Sequence, residues 1–133
     1  MQTVKLVDEN STHPKVKAIF DDIRATRKTN RITNFWRALA NNPDHLELVW
    51  RHLKTVMQPG KLDMRTKEMI AVAVSATNGC AYCTNSHIAA AQNQGMDIEM
   101  LGELMAVIGL FNMTNKLAEG FQIEPDVFPD ISG

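Results

Sequence analysis

An all-α fold is predicted from three features of the sequence. Apolar residues recur at helical spacing, helix formers dominate the periodic segments, and Gly and Pro fall mostly between those segments. The architecture expected is a helical bundle with a central antiparallel helix hairpin. Val16, Ile19, Phe20 and Ile23 sit at helical spacing among charged neighbours behind Pro14, so residues 14–27 read as a surface amphipathic helix. A short helix over 34–40 ends at Asn41-Asn42-Pro43, and a longer one over 44–57 stops before Pro59-Gly60. Trp36 and Trp50 are expected to anchor that layer.

Asp63 is a fitting N-cap for the next helix, which carries Glu68 and the run Met69-Ile70-Ala71-Val72-Ala73-Val74. A run apolar on all sides is expected to be buried on all sides, which makes this the central helix. Asn78-Gly79 breaks it, and a helix from about Tyr82 to Gln94 follows, with Gly95 as its C′ residue. These two helices form the antiparallel hairpin. Asp97 caps a further helix in which Met100, Leu101, Leu104, Met105, Val107, Ile108, Leu110, Phe111 and Met113 make a long apolar stretch, broken by Gly102 and Gly109. One small domain does not need that much apolar surface. From Gln122 onward, with Pro125 and Pro129, an irregular tail is expected.

The 133 residues fit a single domain, 1–133, long enough to bury a core without staples. A formal net charge of -1, from 14 basic and 15 acidic residues well mixed along the chain, provides no footprint for nucleic acid or an anionic membrane. Charges and turn formers interrupt every candidate membrane span, and the start of the sequence has no apolar stretch of signal length, so a cytoplasmic location is expected. In a reducing compartment a permanent structural disulfide is improbable. The two cysteines, three positions apart, therefore lean toward catalysis, redox sensing or metal binding.

Those cysteines lie in Cys80-Ala81-Tyr82-Cys83-Thr84-Asn85-Ser86-His87. Two thiols at a turn leading into a helix close a disulfide with little rearrangement, and a thiolate at a helix N-terminus is favoured by the unpaired N–H groups there. Were the Glu68 helix straight, its carboxylate would lie about 18 Å from Cys80 at 1.5 Å per residue. Folding back at Asn78-Gly79 instead sets Glu68 within one turn of His87, which is itself one turn beyond Cys83. Cys83, His87 and Glu68 then converge, as an activated nucleophile, its base and the base's orienter. Cys80, at the turn, is the more reachable thiol.

Blander readings exist for each residue. A zinc site would need Cys80, Cys83 and His87 plus Glu68 or another chain as fourth ligand, and haem attachment is excluded because Thr84 follows Cys83. Alone, His87 reads as a satisfied helix histidine and Glu68 as a first-turn carboxylate. Tyr82 and Ser86 either donate hydrogen bonds into the site or serve packing and capping. His13, His45 and His52 have no partner pattern and read as surface residues.

The spacing of Glu68, Cys80-x-x-Cys83 and His87 resembles the signature of the alkyl hydroperoxidase D-like branch of the carboxymuconolactone decarboxylase family. The similarity extends from Asn34-Phe35-Trp36-Arg37-Ala38-Leu39 through Pro43, over Lys61-Leu62, and into Phe111-Asn112-Met113-Thr114-Asn115-Lys116-Leu117-Ala118, with a core of about 34–120. It implies an all-helical protomer that assembles as a homo-oligomer, a trimer or a hexamer. It further implies a peroxidase cycle without a bound cofactor or metal, acting on hydrogen peroxide or organic hydroperoxides. In that cycle Cys83 attacks the peroxide and becomes a sulfenic acid, Cys80 condenses with it to a disulfide, and Glu68 and His87 relay protons. The reductant implied is a lipoyl-bearing or other dithiol protein. Tyr82 stands where the best-known members have a histidine. Other readings are a redox-sensing or disulfide-exchange module and a lactone decarboxylase; the intact cysteine pair argues against the latter.

Overall fold

The computed structural model describes residues 1–133 and contains six helices and no strand. They are α1 (Pro14–Arg27), α2 (Asn34–Leu39), α3 (Pro43–Val56), α4 (Met64–Thr77), α5 (Ala81–Asn93) and α6 (Ile98–Gly120). The all-α expectation holds, with helix bounds within about two residues of those read from caps and periodicity. Two compact units are resolved: Met1–Gln58, which holds α1 to α3, and Pro59–Gly133, which holds α4 to α6.

The first unit is built on a continuous apolar cluster of Val16, Phe20, Ile23, Ile32, Trp36, Ala40, Leu46 and Trp50, all nearly inaccessible. Trp36 meets Trp50 edge to face, with centroids 5.1 Å apart, the geometry favoured by the ring quadrupoles. Burying Trp50 requires a partner for its indole N–H, which donates to Asp22 Oδ2 at 2.6 Å. Lys54 Nζ donates to the same oxygen at 2.8 Å. The Lys54 ammonium and then the Trp50 N–H hold the Asp22 carboxyl below the usual carboxylate range. His13, read from the sequence as a partnerless surface residue, caps α1: its Nδ1 accepts the Val16 N–H at 3.5 Å. The first residues are tied down by Val7 and Arg37, where the Val7 N–H donates to the Arg37 carbonyl at 3.1 Å. Arg37 Nε returns a bond to the Val7 carbonyl at 2.9 Å.

In the second unit the two predicted aspartate caps are in place. Asp63 Oδ1 accepts the Thr66 N–H at 2.7 Å, and Asp97 Oδ1 accepts the Met100 N–H at 2.8 Å. Helix α4 packs chiefly on α5 and also on α6. One expectation fails here. α4 is not buried on all sides: Val72 and Ser75 are buried, but Ile70 and Val74 remain 49% and 54% exposed, because two neighbouring helices cover only part of its circumference. As expected of a single helix after Asp97, α6 runs unbroken from Ile98 to Gly120, through Gly102 and Gly109. Glycine lowers helix propensity without forcing a turn unless the backbone takes positive φ, and neither residue does. α6 has no buried residue, and Val107, Leu110, Phe111, Met113 and Leu117 are each about half exposed. From Ile123 the chain has no regular structure. No helix is long and apolar enough to cross a membrane.

Candidate functional site

The connection between α4 and α5 is a Schellman turn whose residues also form the site. Asn78 is the C-cap of α4, and Gly79 takes the left-handed conformation at φ +72°. The Gly79 N–H donates to the Ala76 carbonyl at 3.2 Å and the Cys80 N–H to the Ser75 carbonyl at 3.0 Å, the paired bonds of that motif. Cys80 is thereby fixed as the residue just past one helix, and it is also the N-cap of the next: its Sγ accepts the Cys83 N–H at 3.2 Å. Thr84 secures the first turn, its Oγ1 donating to the Cys80 carbonyl at 2.9 Å.

Cys80 and Cys83 are joined as a disulfide, with their Cα atoms 5.3 Å apart, within the ordinary range for such a bond. Their accessibility is intermediate, while Thr77, Asn78, Gly79, Ala81, Tyr82, Asn85 and Ser86 around them are exposed. Tyr82 and Ser86 therefore lie on the outer surface of the hairpin rather than inside it.

Across the hairpin, His87 Nδ1 and Glu68 Oε2 are 2.7 Å apart. The two side chains are 31% and 12% exposed respectively, so Glu68 is a sheltered carboxylate and not a solvated first-turn residue. A neutral histidine facing a carboxylate through Nδ1 carries its proton there and keeps the Nε2 lone pair for another partner. His87 stands one helical turn after Cys83 on α5. The fold-back at Asn78-Gly79 thus brings Glu68, His87 and the disulfide into one hairpin.

Sequence spacing gave no hint of several supporting residues. Ser75, 8% exposed, donates its hydroxyl to the Ala71 carbonyl at 2.6 Å and lends its own carbonyl to Cys80. Asn112 Nδ2 donates to Thr77 Oγ1 at 3.0 Å, tying α6 to the last turn of α4. A four-residue offset from Cys80 was the one available signal for Thr84; Asn112 was marked only as part of the segment from Phe111 to Ala118 that carries the family resemblance. No group of three or more His, Cys, Asp or Glu residues is placed to hold a metal ion. A groove of about 410 Å³ in the first unit is lined by Asp22, Glu47, Trp50, Arg51 and Lys54 among others. Its carboxylates are already paired, with Lys54 on Asp22 and with Lys15 and Arg51 on Glu47.

The α4–α5 hairpin thus carries a Cys80–Cys83 disulfide at the start of α5 and a Glu68–His87 pair across it. Residues 43–123 match the carboxymuconolactone decarboxylase family, and the chain belongs to that family. Its structure is similar to the crystal structure of the alkylhydroperoxidase AhpD core from Rhodospirillum rubrum, with 50% sequence identity, 95% of each chain covered and a TM-score of 0.91. That likeness puts the chain in the alkyl hydroperoxidase D-like branch. It is also 39% identical over 54 residues to the uncharacterized protein 4 in the cox locus of Paracoccus denitrificans, a match spanning 41% of this chain and 49% of that relative.

Proposed function

We propose that this protein is a thiol-dependent peroxidase that cycles Cys80 and Cys83 between dithiol and disulfide. The observation that carries the reading is the disulfide at the N-cap of α5, one helical turn from a histidine already oriented by Glu68. The likeness to an alkylhydroperoxidase core supports it.

In the reduced protein, His87 takes the Cys83 thiol proton and Glu68 holds the resulting imidazolium. The Cys83 thiolate attacks the terminal oxygen of a hydroperoxide; the O–O bond breaks, Cys83 becomes a sulfenic acid, and the departing alkoxide takes the proton from His87 as an alcohol. Cys80 then attacks the Cys83 sulfur, and the sulfenic hydroxyl leaves as water with the Cys80 proton, which closes the disulfide. A dithiol donor, a lipoyl-bearing protein or a small dithiol, restores both thiols and is itself oxidised to a disulfide. The donor and the peroxide are the reactants.

Self-association through α6 belongs to the same proposal. A helix with no buried residue that leaves Val107, Leu110, Phe111, Met113 and Leu117 about half exposed is expected to meet another copy of the chain.

The test follows peroxide loss by pre-reduced protein, with hydrogen peroxide and cumene hydroperoxide, using dihydrolipoamide or dithiothreitol as donor. Sustained turnover is expected, abolished in Cys83→Ser, whereas Cys80→Ser should be oxidised once and stop as a trappable sulfenic acid. One equivalent of oxidation by the unaltered protein, followed by silence, would replace the peroxidase with a redox sensor.

A further inference from the structure

We infer that Asn78, the C-cap of α4, is a self-modifying site: its carboxamide is lost to the Gly79 nitrogen, the Cys80–Cys83 disulfide holds that reaction back, and the product impairs the turn that places Cys80. The chemistry belongs to the hairpin's own backbone, goes beyond the proposed peroxidase and does not depend on it. Asn78-Gly79 is the one Asn-Gly pair in the chain, and both residues are exposed. Every other asparagine precedes a residue that carries a side chain, whereas glycine leaves the attacking nitrogen unhindered. In the reaction the Gly79 nitrogen gives its proton to hydroxide and bonds to Asn78 Cγ; the Cγ–Nδ2 bond breaks, and the amide nitrogen departs as ammonia with a proton from water. Water then opens the resulting five-membered ring at one carbonyl or the other, which leaves aspartate or isoaspartate.

The folded turn is closed to this step. Asn78 has φ −82° and ψ −5°, and ring closure requires ψ to swing out of the helical range so that the nitrogen turns towards the side chain. The Gly79 N–H is occupied, donated to the Ala76 carbonyl, and rotating ψ breaks that bond together with the one from the Cys80 N–H to the Ser75 carbonyl. Cyclisation therefore needs local opening of the turn. Cys80 is held from the α5 side as well. Its sulfur is bonded to Cys83 and accepts the Cys83 N–H, and its carbonyl takes the Thr84 hydroxyl. Reduction removes the covalent hold, so the dithiol form opens more readily than the disulfide form.

Either product weakens the site. A carboxylate at position 78 stands at the negative end of the α4 dipole, two residues before Cys80, where it disfavours a thiolate. Isoaspartate adds a methylene to the main chain ahead of Gly79 and shifts the spacing on which the paired turn bonds depend.

The test incubates oxidised and dithiothreitol-reduced full-length protein side by side in mildly alkaline buffer. Conversion of Asn78 is followed by mass spectrometry after digestion in acid, with a synthetic peptide of residues 72–80 as the unstructured reference. Giving up two backbone hydrogen bonds predicts a rate in the oxidised protein about ten- to a hundredfold below that of the peptide. The reduced protein should convert severalfold faster than the oxidised one. Asn78→Gln, whose longer side chain closes a ring poorly, should stay unconverted in both forms. Asn78→Asp, one product made in advance, should react with iodoacetamide at neutral pH about two- to tenfold more slowly than the unaltered reduced protein. An oxidised rate equal to that of the peptide overturns the inference, as does a reduced rate no higher than the oxidised one, or an Asn78→Asp protein whose thiols react at the unaltered rate. Failure of peroxide turnover with these results intact would count against the peroxidase reading and leave this one standing.

Discussion

Replacing Gly79 with alanine isolates the cost of the turn that places Cys80. Gly79 has φ +72°, and a Cβ built on it meets no atom within 4 Å, so no clash adds to the backbone penalty. An L-residue in the left-handed region costs about 1–2 kcal/mol. The unfolded chain returns a few tenths by losing glycine's freedom, which leaves a net loss of about 1 kcal/mol. For an ordinary urea dependence this lowers the unfolding midpoint by about 0.5–1 M. Far-UV circular dichroism on the oxidised protein gives the midpoint, and amide exchange at Cys80, whose N–H donates to the Ser75 carbonyl, shows whether the loss is local. Gly79→Asn should recover part of it, because asparagine tolerates the left-handed region better than alanine. Equal midpoints for Gly79→Ala and the unaltered protein would refute the reasoning, as would an asparagine variant less stable than the alanine one.

The glycines of α6 should behave in the opposite way. Gly102 and Gly109 lie inside a continuous helix with open space around a built Cβ, so alanine at each should stabilise the helix by about 0.5–1 kcal/mol in urea melts. A fall in self-association by sedimentation in either variant would mark the place where a second copy approaches most closely. Asp22→Ala should cost about 1–2 kcal/mol by stranding the buried Trp50 N–H. Because the folded-state pKa of Asp22 is depressed, its contribution is full above the ordinary carboxylate range and fades as pH falls through its lowered value. The difference between Asp22→Ala and the unaltered protein, followed by tryptophan fluorescence, should therefore shrink on the acid side of about pH 4.

Local chemistry made much of the fold readable. Asp63, Asp97 and Gly95 are cap residues, and Pro14 a first-turn proline, whose side chain or backbone conformation acts within one turn, so their positions in the sequence set the helix ends directly. The Glu68–His87 juxtaposition was legible for a similar reason: a hairpin with one short turn leaves little freedom in its register. Features that depend on neighbours distant in sequence were not. The exposure of Ile70 and Val74 on α4 reflects which helices cover it, and an apolar run has the same composition whether a neighbour or a second copy of the chain buries it. His13 escaped notice because a histidine cap has no spacing signature, and Asn112 because its partner, Thr77, is thirty-five positions away.

The double duty of Cys80 separates scaffold from chemistry. The same residue ends the turn after α4 through its N–H and starts α5 through its sulfur, and serine is among the preferred N-caps. One exchange of oxygen for sulfur would remove the disulfide and leave both helix ends satisfied. A lineage carrying this hairpin is therefore one codon away from a version that folds and has lost its disulfide, free to put the Glu68–His87 pair to a different use.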